Sequence, residues 1–201
     1  MTKNEIIKLY DIKKDKVILI DRYLKHLKKN NTQINLVGRS TLFNAWDRHV
    51  SDSLQLTQFI KNKKSKIIDL GTGAGIPGII ISIMGYNNIV MVDSKKKKIE
   101  FVKSCLSLLP IKPTLINSRI EDMKKITADF IVARALSPLF KLINYSLFFA
   151  NNNTTMVFLK GRSVNIEINE AKKKFFFNYN LYKTKTSGDG FVVKIKNIKR
   201  K

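Results

Sequence analysis

The chain has 201 residues, 44% of them apolar, long enough to bury a full core without a disulfide or a metal to hold it together. One cysteine, Cys105, and two histidines exclude an internal disulfide and an ordinary zinc site, and they fit a reducing cytoplasm. Thirty-eight basic residues against 15 acidic ones give a net charge of +23, which excludes an acidic or nearly neutral surface.

Residues 1–60 read as helical. Ile20, Tyr23, Leu24 and Leu27 recur at the spacing of one helix face, and Asn30-Asn31 ends that run. A second helix is predicted from Ser40 or Thr41 as N-cap, with Trp46, Val50 and Leu54 on one stripe. No glycine- or serine-rich linker follows, so this helical part is expected to pack against the rest.

From residue 65 short β-branched runs alternate with helix-length segments. The predicted strands are Lys66–Leu70, Ile89–Asp93, Pro113–Ile116, Asp129–Ala133 and Thr155–Lys160. Between them lie predicted helices Gly78–Met84, Lys97–Leu109 and Leu139–Phe149. Such alternation implies βαβ units and a parallel sheet covered on both faces. Leu181–Thr186 and Phe191–Lys196, joined by Ser187-Gly188-Asp189-Gly190, then give a hairpin. Five parallel strands followed by a hairpin make a seven-stranded, Rossmann-like α/β sheet of the class I methyltransferase kind, not a six-stranded all-parallel dinucleotide fold. The expected organisation is a helical extension over residues 1–60 and a methyltransferase domain over 61–201.

The charge points to a partner. Thirty-one of the 38 cations are lysine, and isoleucine, asparagine and phenylalanine are also plentiful, as an AT-rich genome would impose. That bias should enrich Asp and Glu as well, yet they are scarce, so the excess favours a polyanion. A membrane surface attracts the same charge, but no basic helix carries a strong aromatic-apolar face to anchor it. No window approaches the roughly 20 apolar residues of a membrane span, and the first residues lack the apolar core of a signal peptide. The expected location is the cytoplasm, with no membrane contact.

The chemistry concentrates at Asp69-Leu-Gly71-Thr-Gly73-Ala-Gly75-Ile76-Pro77-Gly78, between an apolar strand and a predicted helix. Glycines there allow a tight turn and let a ligand approach the backbone, and the helix start adds N–H donors. Gly73, Gly75 and Gly78 also satisfy the dinucleotide pattern, a weak match when taken alone. Asp69 shifts the balance. At the strand end its carboxylate can meet the cationic aminoacyl part of S-adenosylmethionine, whereas a pyrophosphate would be repelled. Asp93 closes the next strand, where a carboxylate binds ribose hydroxyls in either case.

Arg48-His49-x-x-Asp52-Ser53 forms a second constellation, with Arg48 and Asp52 one helical turn apart. From spacing alone it reads as a surface ion pair beside a histidine. Arg119-Ile120-Glu121 follows the third strand, Arg134 the fourth and Lys160-Gly161 the fifth. Ligands in an open α/β sheet sit beyond the strands' carboxyl ends, so Glu121 and Arg134 border the same crevice as Gly71. The Lys95–Lys98 run and His26 read as solvated surface. Neither a metal cluster nor a nucleophile–base pair can be defended.

Taken together, Asn35-Leu36, Arg48-His49-x-x-Asp52-Ser53, the glycine motif, Asp93-Ser94, Ser118-Arg119-x-Glu121, Ala133-Arg134-Ala135 and Leu159-Lys160-Gly161 resemble the bacterial 16S rRNA guanine-N7 methyltransferase family, also called glucose-inhibited division protein B. The resemblance runs from about residue 20 to the C-terminus, and the order and spacing of the motifs carry it. It implies S-adenosylmethionine held at Gly71, Ile76, Ile120, Glu121 and Arg134, with Asp93 at the ribose. It also implies methylation of one guanine N7 by a monomer acting on small-subunit rRNA or the 30S particle. Such proteins tend to carry an arginine just before the last strand. Here Gly188-Asp189-Gly190-Phe191 stands in its place, with Lys185 nearby.

The residues and the resemblance together assign Asp69, Gly71, Gly73, Gly75, Ile76, Asp93, Ile120, Glu121 and Arg134 to the cofactor, Ile76 and Ile120 on the resemblance alone. Arg48, Arg134 and Lys160 are assigned to the RNA phosphate or the base edge. Guanine N7 carries an in-plane lone pair and no proton at neutral pH, so catalysis would come from alignment and electrostatics without a general base. Two rivals are a methyltransferase for a small molecule or protein, which gives the charge no role, and a non-catalytic nucleic-acid-binding module.

Overall fold

A computed structural model describes residues 1–110, 112–186 and 188–201. Seven strands form one sheet in the order β3-β2-β1-β4-β5-β7-β6. They are β1 (Ile67–Leu70), β2 (Ile89–Asp93), β3 (Thr114–Asn117), β4 (Phe130–Arg134), β5 (Thr155–Lys160), β6 (Phe175–Lys183) and β7 (Phe191–Arg200). β1 to β5 are parallel, while β7 is antiparallel to both β5 and β6. The predicted terminal hairpin therefore exists. Its first strand begins at Phe175, earlier than the alternation suggested, because most of this edge strand is exposed and need not alternate. Ser187 of the predicted turn lies outside the described residues.

β1 is buried along its whole length, and its pleat sends Ile67 and Asp69 to one face and Ile68 and Leu70 to the other. On the first face lie α1 (Lys3–Leu9), α2 (Lys14–Asn30), α3 (Asp52–Thr57), α4 (Gly78–Ile83) and α5 (Lys96–Ser104), sharing one core that joins Ile6, Tyr23 and Leu54 to Ile79 and Val102. The opposite face is covered by α6 (Leu139–Leu147) and α7 (Val164–Lys172), over Ile143, Phe149, Phe158 and Ile168. No helix among the described residues is long and apolar enough to cross a membrane.

The register positions the site. Leu70 pairs with Val92 on one side and Ala133 on the other, so Gly71 leaves the sheet between Asp93 and Arg134. The chain departs from β1 toward β2 and returns to β4, which makes this the topological switch point, where a crevice opens beyond the carboxyl ends.

One predicted element differs in kind. In place of a single helix from Ser40 or Thr41, there is a 3-10 turn at Arg39–Leu42, a π-helical stretch at Trp46–Ser51 and then α3. Val50 and Leu54 do enter the core, but Asp47, His49, Ser51 and Asp52 are buried beside them. Hydrophobic periodicity registers apolar burial only, and here polar contacts decide the backbone; π turns of this kind recur at functional sites. The predicted Lys97–Leu109 helix also breaks. Ser104 Oγ donates to the Phe101 carbonyl, and a 3-10 turn at Leu106–Leu108 follows.

The helical extension reaches the glycine loop directly. Fully buried Tyr23 donates its hydroxyl to the Ala74 carbonyl at 2.8 Å. Half-buried His26, read from sequence as solvated, stacks on Phe101 with ring centroids 5.4 Å apart and contacts Ser104 Oγ at 2.8 Å. Replacing Tyr23 by Phe keeps the ring but leaves a buried carbonyl without its donor, a loss of about 1–2 kcal/mol. Urea unfolding of Tyr23→Phe should show that loss as a lower midpoint with unchanged slope; an unchanged midpoint would mean that the contact contributes nothing.

Candidate active site

Three adjoining cavities occupy the carboxyl end of the sheet. The first, about 370 Å³, is lined by Gly71, Asp93, Lys98, Ile120, Glu121 and Tyr145 among others. The second, about 290 Å³, lies over the glycine loop and is bounded by Leu36, Gly38, His49, Gly73, Ile76 and Arg134. A third, about 540 Å³, opens toward the β6–β7 turn between Arg48, Asp52, Arg134, Lys160, Arg162 and Thr186. Gly71 borders the first two, Arg134 the second and third, and Ala135 all three.

The glycine loop presents its backbone to these spaces. Gly71 and Gly73 have φ of +66° and +57°, and a Cβ on Gly71 would enter the side chain of Leu136. Asp93 fixes the loop from the side, accepting from the Gly73 N–H and the Lys95 N–H, each at 2.9 Å. Asp69 fixes it from below, where one carboxylate oxygen accepts from Thr72 Oγ1 at 2.5 Å and from the Gly78 N–H at 3.0 Å. Burial pushes the Asp69 carboxyl up to about 7, against the pull of those two donors, and Asp93 adds a smaller push in the same direction.

Arg134 is the junction. Its guanidinium donates to His49 Nδ1 at 2.8 Å and stands 4.0 Å from Asp52. His49 is 1% exposed, and its Nε2 meets Thr41 Oγ1 at 3.0 Å, while that hydroxyl donates to the Gly38 carbonyl. Nδ1 therefore accepts and Nε2 carries the proton. Burial, with Arg134 and Arg48 beside it, lowers the imidazole to about 3, so it is neutral at physiological pH. Asp52 also accepts from Thr186 Oγ1 at 2.8 Å, and Gln55 Oε1 accepts from the Lys185 N–H at 2.8 Å, which stitches the N-terminal segment to the hairpin. Lys160 donates to the Ser137 carbonyl at 2.9 Å and pairs with Glu167 at 2.5 Å, both largely buried.

Of the residues singled out from sequence, Gly71, Gly73, Ile76, Asp93, Ile120, Glu121, Arg134, Arg48 and Lys160 border these cavities. Asp69 and Gly75 do not. Asp69 is fully buried beneath the loop, and Gly75 faces Ile79 and Val102. Arg48 and Asp52 are not the surface ion pair that spacing suggested: Asp52 is buried, and the Arg48 guanidinium packs on the Gly188 backbone. Sequence reasoning missed the strain at Ala135, which it quotes only within the family motif; its φ of +52° is a left-handed conformation that a non-glycine residue adopts at a cost. It missed Leu136 and Thr186 as well. Lys98 had a signal, since it belongs to the lysine run set aside as solvated face.

A family profile described as rRNA small subunit methyltransferase G matches residues 17–190. The chain is 35% identical over 187 residues to Ribosomal RNA small subunit methyltransferase G of Orientia tsutsugamushi (strain Ikeda), covering 93% of each chain. It is 36% identical over 172 residues to the protein of that name from Rickettsia prowazekii (strain Madrid E), covering 86% of this chain and 89% of the relative. Among solved structures it is similar in fold to a ribosomal protein L11 methylase from Lactobacillus delbrueckii subsp. bulgaricus. That match has a TM-score of 0.61 and 18% identity, over 73% of this chain and 76% of the other.

The buried titratable groups make stability depend on pH in opposing ways. The free imidazole titrates near 6.5 and folded His49 near 3, so between those values the unfolded chain holds the extra proton. His49 contributes stability that is whole above pH 6.5 and is lost as pH falls toward 3. Asp69, raised from 3.8 to about 7, acts oppositely, since acidification through that window favours the folded state. The difference in unfolding free energy between wild type and His49→Gln should shrink from pH 7 to 5, with a limiting slope of about 1.4 kcal/mol per pH unit. Urea titrations at several pH values check this; a constant difference would mean that His49 is not held neutral by the fold.

Proposed function

The chain belongs to the rRNA small subunit methyltransferase G family, and from that we propose that it transfers the methyl group of S-adenosylmethionine to N7 of one guanine in 16S, small-subunit ribosomal RNA. The residues present fit the cofactor. Gly71 and Gly73 offer a backbone cradle that side chains would fill, and Asp93 sets a carboxylate at its rim for ribose hydroxyls. Ile120 and Glu121 bound the far end, where an adenine would lie, and Ile76 and Arg134 the end for the aminoacyl group. Asp69 holds the loop from below and acts through it. When bound, S-adenosylmethionine supplies an electrophilic methyl that a neutral ring nitrogen can accept without first losing a proton.

The observation that carries the guanine N7 reading is the third cavity, with four cationic side chains beside the cofactor crevice and no base at liberty to take a proton. Both ring nitrogens of neighbouring His49 are engaged. Asp52, the buried carboxylate of this cavity among the described residues, stands against the Arg134 guanidinium and accepts from Thr186, while Asp189 lies at the exposed rim. Guanine N7 requires no base. Its neighbour O6 accepts readily from Arg or Lys, so Arg48, Arg134 and Lys160 are suited to hold that edge or the flanking phosphate. Asp52 and Glu167, set against Arg134 and Lys160, balance much of their charge, which keeps the site from opposing the cation that develops on the purine. The base must leave its stack to enter, at a cost of a few kcal/mol unless it already lies in an open loop. In this reading residues 1–60 form a helical extension that supplies Arg48 to the methyltransferase domain of 61–201. The net charge of +23 supports a polyanionic substrate, small-subunit rRNA either free or within the 30S particle.

Small subunits from cells lacking the gene, incubated with the protein and S-adenosylmethionine labelled on the methyl, should acquire label at a single guanine N7. Label in protein, or at another atom, would overturn the reading. Arg134→Ala should lower kcat/KM at least about tenfold, equivalent to 1.4 kcal/mol of transition-state stabilisation, with the circular dichroism of the folded protein retained. Normal turnover in that variant would remove Arg134 from the site.

A further inference from the structure

On the sheet face opposite the N-terminal helices, a groove of about 670 Å³ runs between α6, the end of α7 and the open end of the β6–β7 hairpin. Five of the residues lining it are cations: Lys141, Lys173, Lys174, Arg200 and Lys201. Among the described residues none of its lining is acidic. β6 pairs Phe175 with Arg200, and the Lys201 N–H donates to the Lys174 carbonyl, which brings the two basic ends together. Asn144 Oδ1 accepts from Arg200 Nη2 at 2.8 Å and aims that guanidinium along α6. Lys173 pairs with Glu170 at 2.7 Å, but both are exposed, and such a pair yields readily to a phosphate. Phe140 and Tyr145 stand half-buried in the same wall.

Gathering like charges raises the free energy of the folded chain, so this cluster is not explained by stability. Cations that track a groove with aromatic rings set among them are what a nucleic-acid strand requires: the cations meet phosphates, and the rings stack on unpaired bases. The groove also leads somewhere. A neighbouring cavity of about 560 Å³ shares Asn144, Tyr145 and Arg200 with it, and shares Ile120 and Glu121 with the cofactor crevice. Charge changes sign along this path, since Glu121 at the crevice would repel a phosphate that Arg200 would attract.

We infer that this groove binds the sugar–phosphate backbone of a second segment of the RNA substrate, away from the methylated guanine. The inference rests on the rRNA reading above and adds a contact surface on the face opposite the N-terminal helices, built from α6, α7 and the hairpin end. Its role is to position the particle, so its loss should raise KM and leave kcat nearly unchanged.

The test compares wild type with Lys141→Glu/Lys174→Glu and with Lys8→Glu/Lys13→Glu, which makes the same charge change on exposed residues of the N-terminal helices. Binding and methylation of undermethylated small subunits are measured over a range of salt, with S-adenosylmethionine affinity and melting temperature as controls. The groove variant should raise KM about tenfold and flatten the dependence of log K on log salt by about 1.4–1.8, for two phosphates released. The charge-matched variant should do much less, and both should keep wild-type cofactor affinity. Equal effects of the two variants would overturn the inference while leaving the methyltransferase reading standing. Loss of affinity for the particle but not for protein-free rRNA would also overturn it, in favour of an acidic ribosomal protein. If wild type itself neither binds nor methylates the particle, the rRNA reading fails and the groove assignment with it.

Discussion

The contact between Arg134 and His49 joins the two parts of the molecule and divides its crevice. Arg134 stands at the end of β4 and His49 in a π-helical turn far away in sequence, yet the guanidinium donates to the imidazole at 2.8 Å. That geometry requires a neutral ring with its proton on the other nitrogen, and the fold enforces it by burial, by two nearby arginines and by Thr41 on the far side. With the ring so fixed, the arginine can serve as a wall between the space over the glycine loop and the cation-lined cavity beside it. A charged imidazole in the same place would repel the arginine and lose the acceptor, and the partition would go with it.

The same economy governs the other cations of the site. Lys160 is tied to Glu167 and to the Ser137 carbonyl, and Arg134 stands against Asp52. These side chains are largely buried, so each charge needs its partner to be tolerated at all, and each pair is held in one geometry. Most lysines, by contrast, lie on exposed surface, where they are mobile and hydrated and give attraction at a distance without register. At the crevice the protein thus uses arginine and one paired lysine for position, while lysines scattered over the open surface serve encounter.

How much of this was legible depended on what kind of force each feature answers to. The central strands beneath the site were readable because they are buried on both faces and appear as near-continuous apolar runs; β2 and β5 fall at the positions the sequence assigns. The glycine loop, Asp93 and Arg134 could be placed because a parallel sheet delivers its strand ends to one edge. The second helix could not be read correctly. Its backbone answers to His49 and Asp52, whose partners include Arg134 at the end of β4 and Thr186 beside the hairpin turn, and no local periodicity records a partner 134 positions away such as Thr186. The left-handed backbone of Ala135, a residue of the family motif, left no trace for a similar reason, because it is imposed by the structure around it. Of this stretch only Arg48 is assigned to the site from the sequence; His49 and Asp52 enter it as part of the family motif without a role, and spacing alone argues for solvent.

Asp69 and Asp93 show how one residue type divides the work at neighbouring strand ends. The pleat sends Asp69 into the core under the loop, where burial raises its carboxyl to about 7 and its hydrogen bonds go to Thr72 and Gly78. Asp93 stays at the rim, still bordering the cavity, while it holds Gly73. Tyr23 adds a third restraint at Ala74 from the helical extension. The loop is therefore held by three buried side chains, Asp69, Asp93 and Tyr23, while its glycines leave the surface that faces the cavities bare. A ligand that settles on such a surface does not have to order it, and the affinity that ordering would consume remains available for aligning the reacting atoms. The N-terminal residues thus help to build the crevice, through the Tyr23 hydroxyl on the loop and a short run of wall that includes Leu36, Gly38 and His49.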